Sequence, residues 1–369
     1  MWLVLMLVSC ADKPTVVEAE SVLSLPVPEN GYQLVTPDYV VPPFSEREIC
    51  TVMRLEPNGD ERLYWANTLE SLVTEGTHHM NVMMGEFSFL DAFIGDGASE
   101  NALGAVAGQY PCEELSTMEL AYTIFPSQRD SQKITLPEGV AAPLTAPLWL
   151  VFSHHYVNPT EDSITISAIL NIETIPASEV TDVAGLVFSG VPDLEVPVGA
   201  ERVIGRTCVF DRDVQVALVS SHTHEWGECV TMNQYAADSS TIEPEPFFVN
   251  KRWEQPPILH FEPGVFSVAA GDGIHWACHY QNDTEYTLVE DGTAEGEMCV
   301  FAAVTYPSPW TVEQVEETVS GEDLVGLMGL LGDVMGPCDA VIDTVASPWP
   351  EDKSDACEEF EQTESNTLE

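Results

Sequence analysis

Histidine spacing carries the clearest chemical signal in this 369-residue sequence, because eight of its nine histidines lie in four close pairs. Neutral imidazole is the commonest metal ligand among protein side chains, so clustered histidines predict metal sites. The four pairs are His78-His79, His154-His155, His222-x-His224 and His275-x3-His279.

Spacing decides which pairs can share one metal ion. Residues i and i+2 of a strand point to the same face, so His222 and His224 can bind one metal from a strand. Adjacent residues point to opposite faces, so binding of one metal by both His78 and His79 requires a bulge or a turn. If both bind one metal, the strand is therefore predicted to be distorted at the adjacent pair.

The remaining histidines have no clear ligand spacing. His154 is interpreted as a structural or supporting residue, and His275 and His279 as a structural pair on one face of a strand. His260 has no assigned role.

The elements that must position these histidines are predicted to be strands. Short apolar runs rich in β-branched and aromatic residues recur between Pro, Gly, Asn and Asp, which is typical of antiparallel β-sandwiches. We find no internal repeat in the sequence. From Trp310 the apolar spacing changes and predicts one or two helices within residues 315–335, followed by an acidic tail.

Four segments, in order, resemble the copper type II ascorbate-dependent monooxygenases, a family that includes peptidylglycine α-hydroxylating monooxygenase and dopamine β-monooxygenase. The resemblance covers approximately residues 45–306. The segments are Thr77-His78-His79-Met80, His155-Tyr156-Val157-Asn158-Pro159, His222-Thr223-His224 and Glu297-Met298-Cys299.

The resemblance implies two coppers per chain, one in each of two antiparallel β-sandwich, jelly-roll-like domains that face each other across a cleft. It also implies a disulfide between Cys278 and Cys299. A thioether ligand favours Cu(I), the form that reacts with O₂, so the site with the methionine is the expected catalytic one. The implied ligands are His78, His79 and His155 for the electron-transfer copper, and His222, His224 and Met298 for the oxygen-activating copper.

The implied activity is hydroxylation of an activated C–H bond with O₂ and a one-electron donor such as ascorbate. In the peptide-hydroxylating members an Arg holds the substrate carboxylate, and here that position is Ser220. The Asn and Tyr that follow the Met-Cys pair are replaced by Val300 and Ala302. A peptide substrate is therefore disfavoured, and we expect a small organic substrate that is not anionic, either a cationic or neutral amine or an aromatic compound.

Two alternatives remain open from the sequence. A cupin-like enzyme with one metal is suggested by the spacing His222-x-His224-x3-Glu228, although the glycines and the second motif of cupins are missing. A lipoprotein that binds copper without catalysis would keep the same ligands.

Charge and cysteine usage indicate where the protein is found. With 12 Lys and Arg against 61 Asp and Glu, the net charge of −49 disfavours nucleic acid and anionic membrane surfaces as partners. The segment Leu7-Val8-Ser9-Cys10 resembles the lipobox of bacterial lipoproteins, in which the cysteine is acylated. The other eight cysteines predict disulfides, of open connectivity, in an exported protein. We expect the protein to lie in the cell envelope and to contact the membrane only through the lipid anchor.

The expected organisation follows from these observations. It comprises a signal peptide at 1–9, a tether at 10–30, an N-terminal copper domain at 31–178, a C-terminal copper domain at 179–309 and an acidic, partly helical extension at 310–369.

Overall fold

A computed structural model describes residues 23–85, 108–112, 121–127, 129–291, 296–321, 340–344 and 357. Strands dominate this part of the chain, with one α-helix near its end, so the all-β prediction is confirmed. The expected signal peptide, Cys10 and most of the tether lie outside the described residues.

Two stacked sheets form the first domain, with a small strand pair beside them. One sheet has the order β1-β12-β4-β9-β13, with β8 also paired to β4, and the other has the order β6-β3-β10-β5-β7. Strands β2 and β11 form the small pair, and only β9 and β13 run parallel. The strands are β1 (Gly31–Val35), β2 (Tyr39–Val41), β3 (Ser45–Leu55), β4 (Leu63–Val73), β5 (Thr77–Gly85), β6 (Gly108–Pro111), β7 (Ala121–Ser127), β8 (Ser131–Thr135), β9 (Val140–Thr145), β10 (Leu148–Asn158), β11 (Ile164–Ile166), β12 (Ala168–Ile175) and β13 (Asp182–Val183).

The second domain repeats this plan. Its sheets have the orders β14-β25-β17-β21, with β22 also paired to β17, and β19-β18-β23-β16-β26, with β20 also paired to β18. Strands β15 and β24 form a small pair. The strands are β14 (Gly185–Gly190), β15 (Glu195–Val196), β16 (Glu201–Val209), β17 (Val214–His222), β18 (Gly227–Ala236), β19 (Thr241–Ile242), β20 (Phe248–Asn250), β21 (Leu259–His260), β22 (Ser267–Val268), β23 (Gly273–Gln281), β24 (Leu288–Val289), β25 (Val300–Tyr306) and β26 (Ala340–Thr344).

Each domain has its own main core between its two sheets. In the first, Phe152 of β10 and Leu170 of β12 are fully buried. In the second, Trp276 of β23 stacks on Phe301 of β25 with ring centroids 5.2 Å apart. The alternating apolar pattern of the sequence thus forms sandwich cores of the usual kind.

The chain returns to the first domain after β25. Helix α1 (Val312–Ser320) begins at Thr311, whose side chain and that of Gln314 form a reciprocal capping box. Val315 of this helix is fully buried and packs into the core of the first domain. The predicted helical content of this region is confirmed at α1, and residues 322–339 lie outside the described residues.

The two domains share a short sequence repeat that was not recognised from the sequence alone. The segment from His155 at the end of β10 reads HYVNPTE, and the segment from His279 at the end of β23 reads HYQNDTE. Asn158 and Asn282 follow the tyrosines and organise the same turn: the backbone N–H of Thr160 donates to Asn158 Oδ1 over 3.1 Å, and that of Thr284 donates to Asn282 Oδ1 over 2.9 Å. The expectation of no internal repeat was wrong. The repeat was missed because it spans only seven residues and becomes clear only when the strand pairing is known.

The repeat extends to the strand paired with each of these segments. On β5 one residue bulges out opposite the junction of His155 and Tyr156. On β18 one residue, Glu228, bulges out opposite the junction of His279 and Tyr280. The same irregularity therefore occupies the same place in both domains.

Candidate metal centres

The first predicted metal position lies where β5 and β10 run side by side. His79 and His155 face each other across these strands, with ring centroids 5.0 Å apart. The pairing then skips one residue, because Tyr156 pairs with Thr77 and His78 is the extra residue of β5. The predicted distortion at the adjacent histidines is thus confirmed. The side chain of His78 lies outside the described residues.

Glu46 orients the His155 ring. His155 Nε2 lies 2.8 Å from Glu46 Oε1, and since an ionised carboxylate only accepts hydrogen bonds, Nε2 carries the proton. In the tautomer with the proton on Nε2, the lone pair lies on Nδ1, the nitrogen that could bind a metal. A carboxylate that holds the non-ligating nitrogen is a regular feature of metal-binding histidines.

The second predicted position begins where β17 ends. His222 is the last residue of this strand and His224 follows it, with ring centroids 5.2 Å apart. His224 Nδ1 donates to the carbonyl of Gly296 over 3.1 Å, which fixes the proton on Nδ1, so Nε2 is the nitrogen that could bind a metal.

Met298 approaches this position from a loop held by β23. Its carbonyl accepts a hydrogen bond from Tyr280 Oη over 2.8 Å. A disulfide joins Cys278 of β23 to Cys299, directly after the methionine. This pairing, which the resemblance implied, is confirmed.

Glu297 ties the histidine loop to the methionine loop. Its fully buried carboxylate accepts the backbone N–H groups of His224 over 3.0 Å, Trp226 over 2.8 Å and Met298 over 3.1 Å. Burial raises the pKa of Glu297 to about 7, although these backbone N–H groups lower it. Sequence reasoning included this residue in a motif but did not recognise its role, because nothing in the spacing indicates contacts to a loop more than 70 residues away.

A cavity of about 290 Å³ lies between the two domains. His79 of the first position lines it, and so do His222 and Met298 of the second. Residues that the sequence assigned to two separate metal positions therefore face one space.

The lining of this cavity is apolar and carries no formal charge in the described part of the chain. None of the described lining residues is Asp, Glu, Lys or Arg, although the chain contains 61 acidic residues. Ser220, Val300 and Ala302, which stand where peptide-hydroxylating enzymes have Arg, Asn and Tyr, all line it. Asn81 and Gln132 add amide groups.

His154 and His275 behave as core histidines. Both are buried, and desolvation lowers the pKa of each to about 4, so both are neutral at physiological pH. His275 Nδ1 lies 3.0 Å from the hydroxyl of Thr207. The structural interpretation of these two residues is supported.

One further group of possible ligands occurs among the described residues. Cys229, His279 and Cys357 each place a ligand atom within 4.8 Å of the others. The two cysteines, however, are bonded to each other as a disulfide.

The cupin-like alternative requires a third ligand at Glu228. Within the described residues, the only group of three His, Cys, Asp or Glu ligand atoms within 4.8 Å of one another is the one at Cys229, so Glu228 does not join His222 and His224. Its side chain is exposed on the bulge of β18. The geometry does not support this alternative.

Disulfides account for most of the cysteines that the sequence left unpaired. Cys50 is bonded to Cys112, and Cys208 is also disulfide-bonded. These bonds form and persist in oxidising compartments, in agreement with the predicted export. No helix within the described ranges is long and apolar enough to cross a membrane.

No family model and no curated protein matches the chain. Among solved structures, the chain is similar to one titled "Structure of infectious bursal disease virus Gt strain", with 9% identity, coverage of 77% of this chain and 74% of that chain, and a TM-score of 0.16. A likeness at that TM-score carries no argument about fold or function.

Proposed function

We propose that the protein is a copper-dependent monooxygenase that hydroxylates a C–H bond with O₂ and a one-electron donor such as ascorbate. The observation that carries the proposal is the cavity, which is lined by His79 from one predicted metal position and by His222 and Met298 from the other. An enzyme that takes two electrons from two metals and delivers them to one substrate needs both positions to face a common space.

The side chains fit copper. Two imidazoles bound to one metal through bonds of about 2 Å place their centroids roughly 5 Å apart, and the observed separations are 5.0 Å for His79 and His155 and 5.2 Å for His222 and His224. In both positions an acceptor orients one histidine ring through one of its nitrogens, as is usual for metal-binding histidines. A thioether at Met298 adds a soft ligand that favours Cu(I).

Bound copper would supply one-electron redox chemistry and reaction with O₂, and the overall reaction converts R–H, O₂, two electrons and two protons to R–OH and water. The chain contributes orientation and exclusion of water. Glu46 and the carbonyl of Gly296 hold the imidazoles, and Glu297 keeps His224 and Met298 at a fixed separation through its backbone hydrogen bonds. The apolar cavity keeps the reacting C–H away from bulk water.

The substrate that fits this cavity is small, apolar and uncharged. A volume of about 290 Å³ lies at the lower end of ordinary ligand pockets, roughly 300–1,000 Å³. An ammonium or a carboxylate would be buried without a counter-charge among the described lining residues, which is costly. Of the substrates considered from sequence, the neutral aromatic class is favoured over the cationic one.

We further propose that the protein reaches an oxidising compartment through its N-terminal segment and is anchored there by a lipid on Cys10. The disulfides support an oxidising compartment. Mass spectrometry of the membrane fraction would detect diacylated Cys10, and a Cys10→Ser variant should be released in soluble form.

Copper content and turnover test the enzymatic proposal together. We expect two coppers per chain and ascorbate-dependent O₂ consumption that rises with a neutral alkylbenzene more than with its ammonium or carboxylate analogue. Two coppers without O₂ consumption across the panel would favour a copper-binding protein without catalysis. One metal per chain, retained in a His79→Ala variant, would overturn the two-copper assignment.

A further inference from the structure

The repeat between the domains places a second copy of the first metal position in the C-terminal domain. His279 takes the place of His155, because each begins the repeated His-Tyr segment at the end of its strand. Cys229 takes the place of His79. His79 pairs with His155 directly beside the bulge of β5, and Cys229 pairs with His279 directly beside the bulge of β18.

The copied position holds a different set of ligand atoms. Cys229 and His279 are both buried, and Cys357 approaches from the C-terminal part of the chain. The ligand atoms of all three lie within 4.8 Å of one another. Glu228, at the bulge, is exposed and is not a member of this group.

This position is separate from the proposed copper positions. Cys229 and His279 lie on β18 and β23, in the sheet of the second domain that does not contain β17. Neither residue lines the cavity between the domains. A metal bound at Cys229 would therefore not compete with one at His222 and His224.

We propose that this position becomes a binding site for a thiophilic metal ion, such as Zn²⁺ or Cu⁺, when the Cys229–Cys357 disulfide is reduced. Two thiolates and one imidazole are the ligand types that such ions select. Because the bonded sulfurs cannot both act as thiolate ligands, the site is closed in the oxidised chain. The bulged strand pairing of the first metal position is retained here, and the Cys229–Cys357 disulfide lies where the first position would hold its metal.

Opening the site is a two-electron reaction. A dithiol reductant transfers two electrons and two protons to the disulfide, which gives the thiols of Cys229 and Cys357, and the reductant becomes its own disulfide. A divalent ion then displaces two thiol protons as it binds.

Cobalt(II) provides a test, because thiolate ligands give Co²⁺ a charge-transfer absorption that histidines do not. The full-length protein would be titrated with Co²⁺ before and after reduction by a dithiol and its anaerobic removal. We expect the reduced protein to bind one more Co²⁺ per chain than the oxidised protein, with the thiolate band. Absence of that band after reduction would overturn the proposal.

Two variants and a control locate the site. A Cys357→Ser variant should reduce the thiolate band of the reduced protein at least tenfold, whereas Cys112→Ser, which removes one thiol from the first domain, should leave the band in place. His279→Gln retains both cysteines and should weaken binding of Co²⁺ by the reduced protein at least tenfold. Equal bands in the two cysteine variants, or unchanged affinity in His279→Gln, would refute the assignment.

Discussion

Replacing Glu297 with Gln tests whether one buried carboxylate holds the second metal position together. The carboxylate receives three backbone N–H groups through two oxygens, from His224 and Met298 at Oε2 and from Trp226 at Oε1. Glutamine offers one oxygen and one NH₂ group in the same volume. Whichever way the amide is turned, at least one backbone N–H then faces another donor.

The magnitude follows from the hydrogen bonds that are lost. A hydrogen bond to a charged group contributes about 1.5–3 kcal/mol, and an unsatisfied buried donor adds a desolvation penalty. The raised pKa of Glu297 means that its ionised form costs stability at pH 8, about 3 kcal/mol for a shift from 4.5 to about 7, and the neutral amide removes that cost. The two effects oppose each other, so we expect the free energy of unfolding of Glu297→Gln to stay within about 2 kcal/mol of the wild type. Displacement of His224 and Met298 should weaken copper at the second position by about tenfold or more, whereas copper at the first position should bind as before.

Urea unfolding at pH 8 and copper titration measure the two effects. Glu290→Gln is the matched control, because it makes the same chemical change at an exposed carboxylate close by in the chain. Its free energy of unfolding should stay within about 0.5 kcal/mol of the wild type. If Glu297→Gln binds copper at the second position as tightly as this control does, or if both copper positions weaken equally, the proposed role of Glu297 is wrong.

Three further predictions address other parts of the structure. Met298→Ile should abolish hydroxylation while one copper per chain is retained, as measured by turnover and metal analysis; retained turnover would contradict the assignment of the second position. Filling the cavity by Ala302→Phe should raise the KM for a neutral aromatic substrate at least tenfold without loss of copper, and an unchanged KM would show that the substrate binds elsewhere. Burial lowers the pKa of His275 to about 4 from 6.5, so between these pH values the unfolded state binds more protons, and His275 alone should lower the free energy of unfolding by about 3 kcal/mol as the pH falls. His275→Gln should flatten that part of the urea-unfolding curve against pH, and an identical slope in the variant would contradict this origin.

The strand architecture and part of the site could be predicted from sequence because their signals are local. Period-2 apolar runs indicated the sandwiches, and the hypothesis that the adjacent pair at His78 binds one metal predicted the bulge that β5 has. The Cys278–Cys299 disulfide followed from the resemblance and is present.

Contacts between distant segments could not be predicted in this way. Three features join residues that are far apart in the chain. They are the link from Glu297 to the loop at His224, the disulfide from Cys229 to Cys357 and the uncharged lining of the cavity. The packing of the sheets sets their geometry, and no spacing of residues within a single sequence indicates that packing. The repeat at His155 and His279 is a related case, because five identical residues carry weight only when the paired strands are known.

The return of the chain to the first domain makes the core of the first sandwich depend on residues that follow the second sandwich in the sequence. The polypeptide leaves the first domain after β13 and comes back as α1, whose Val315 completes the core of the first domain. Along the way the backbone N–H of Ser308 donates to the carbonyl of Val183 over 2.7 Å, so the outgoing and returning segments are clasped together. The chain then enters the second domain again as β26, so it passes between the domains three times, after β13, after β25 and after α1. A fragment that ends before the helix would expose to water the apolar residues that Val315 covers, so the first domain depends on the segment after the second domain for a complete interior.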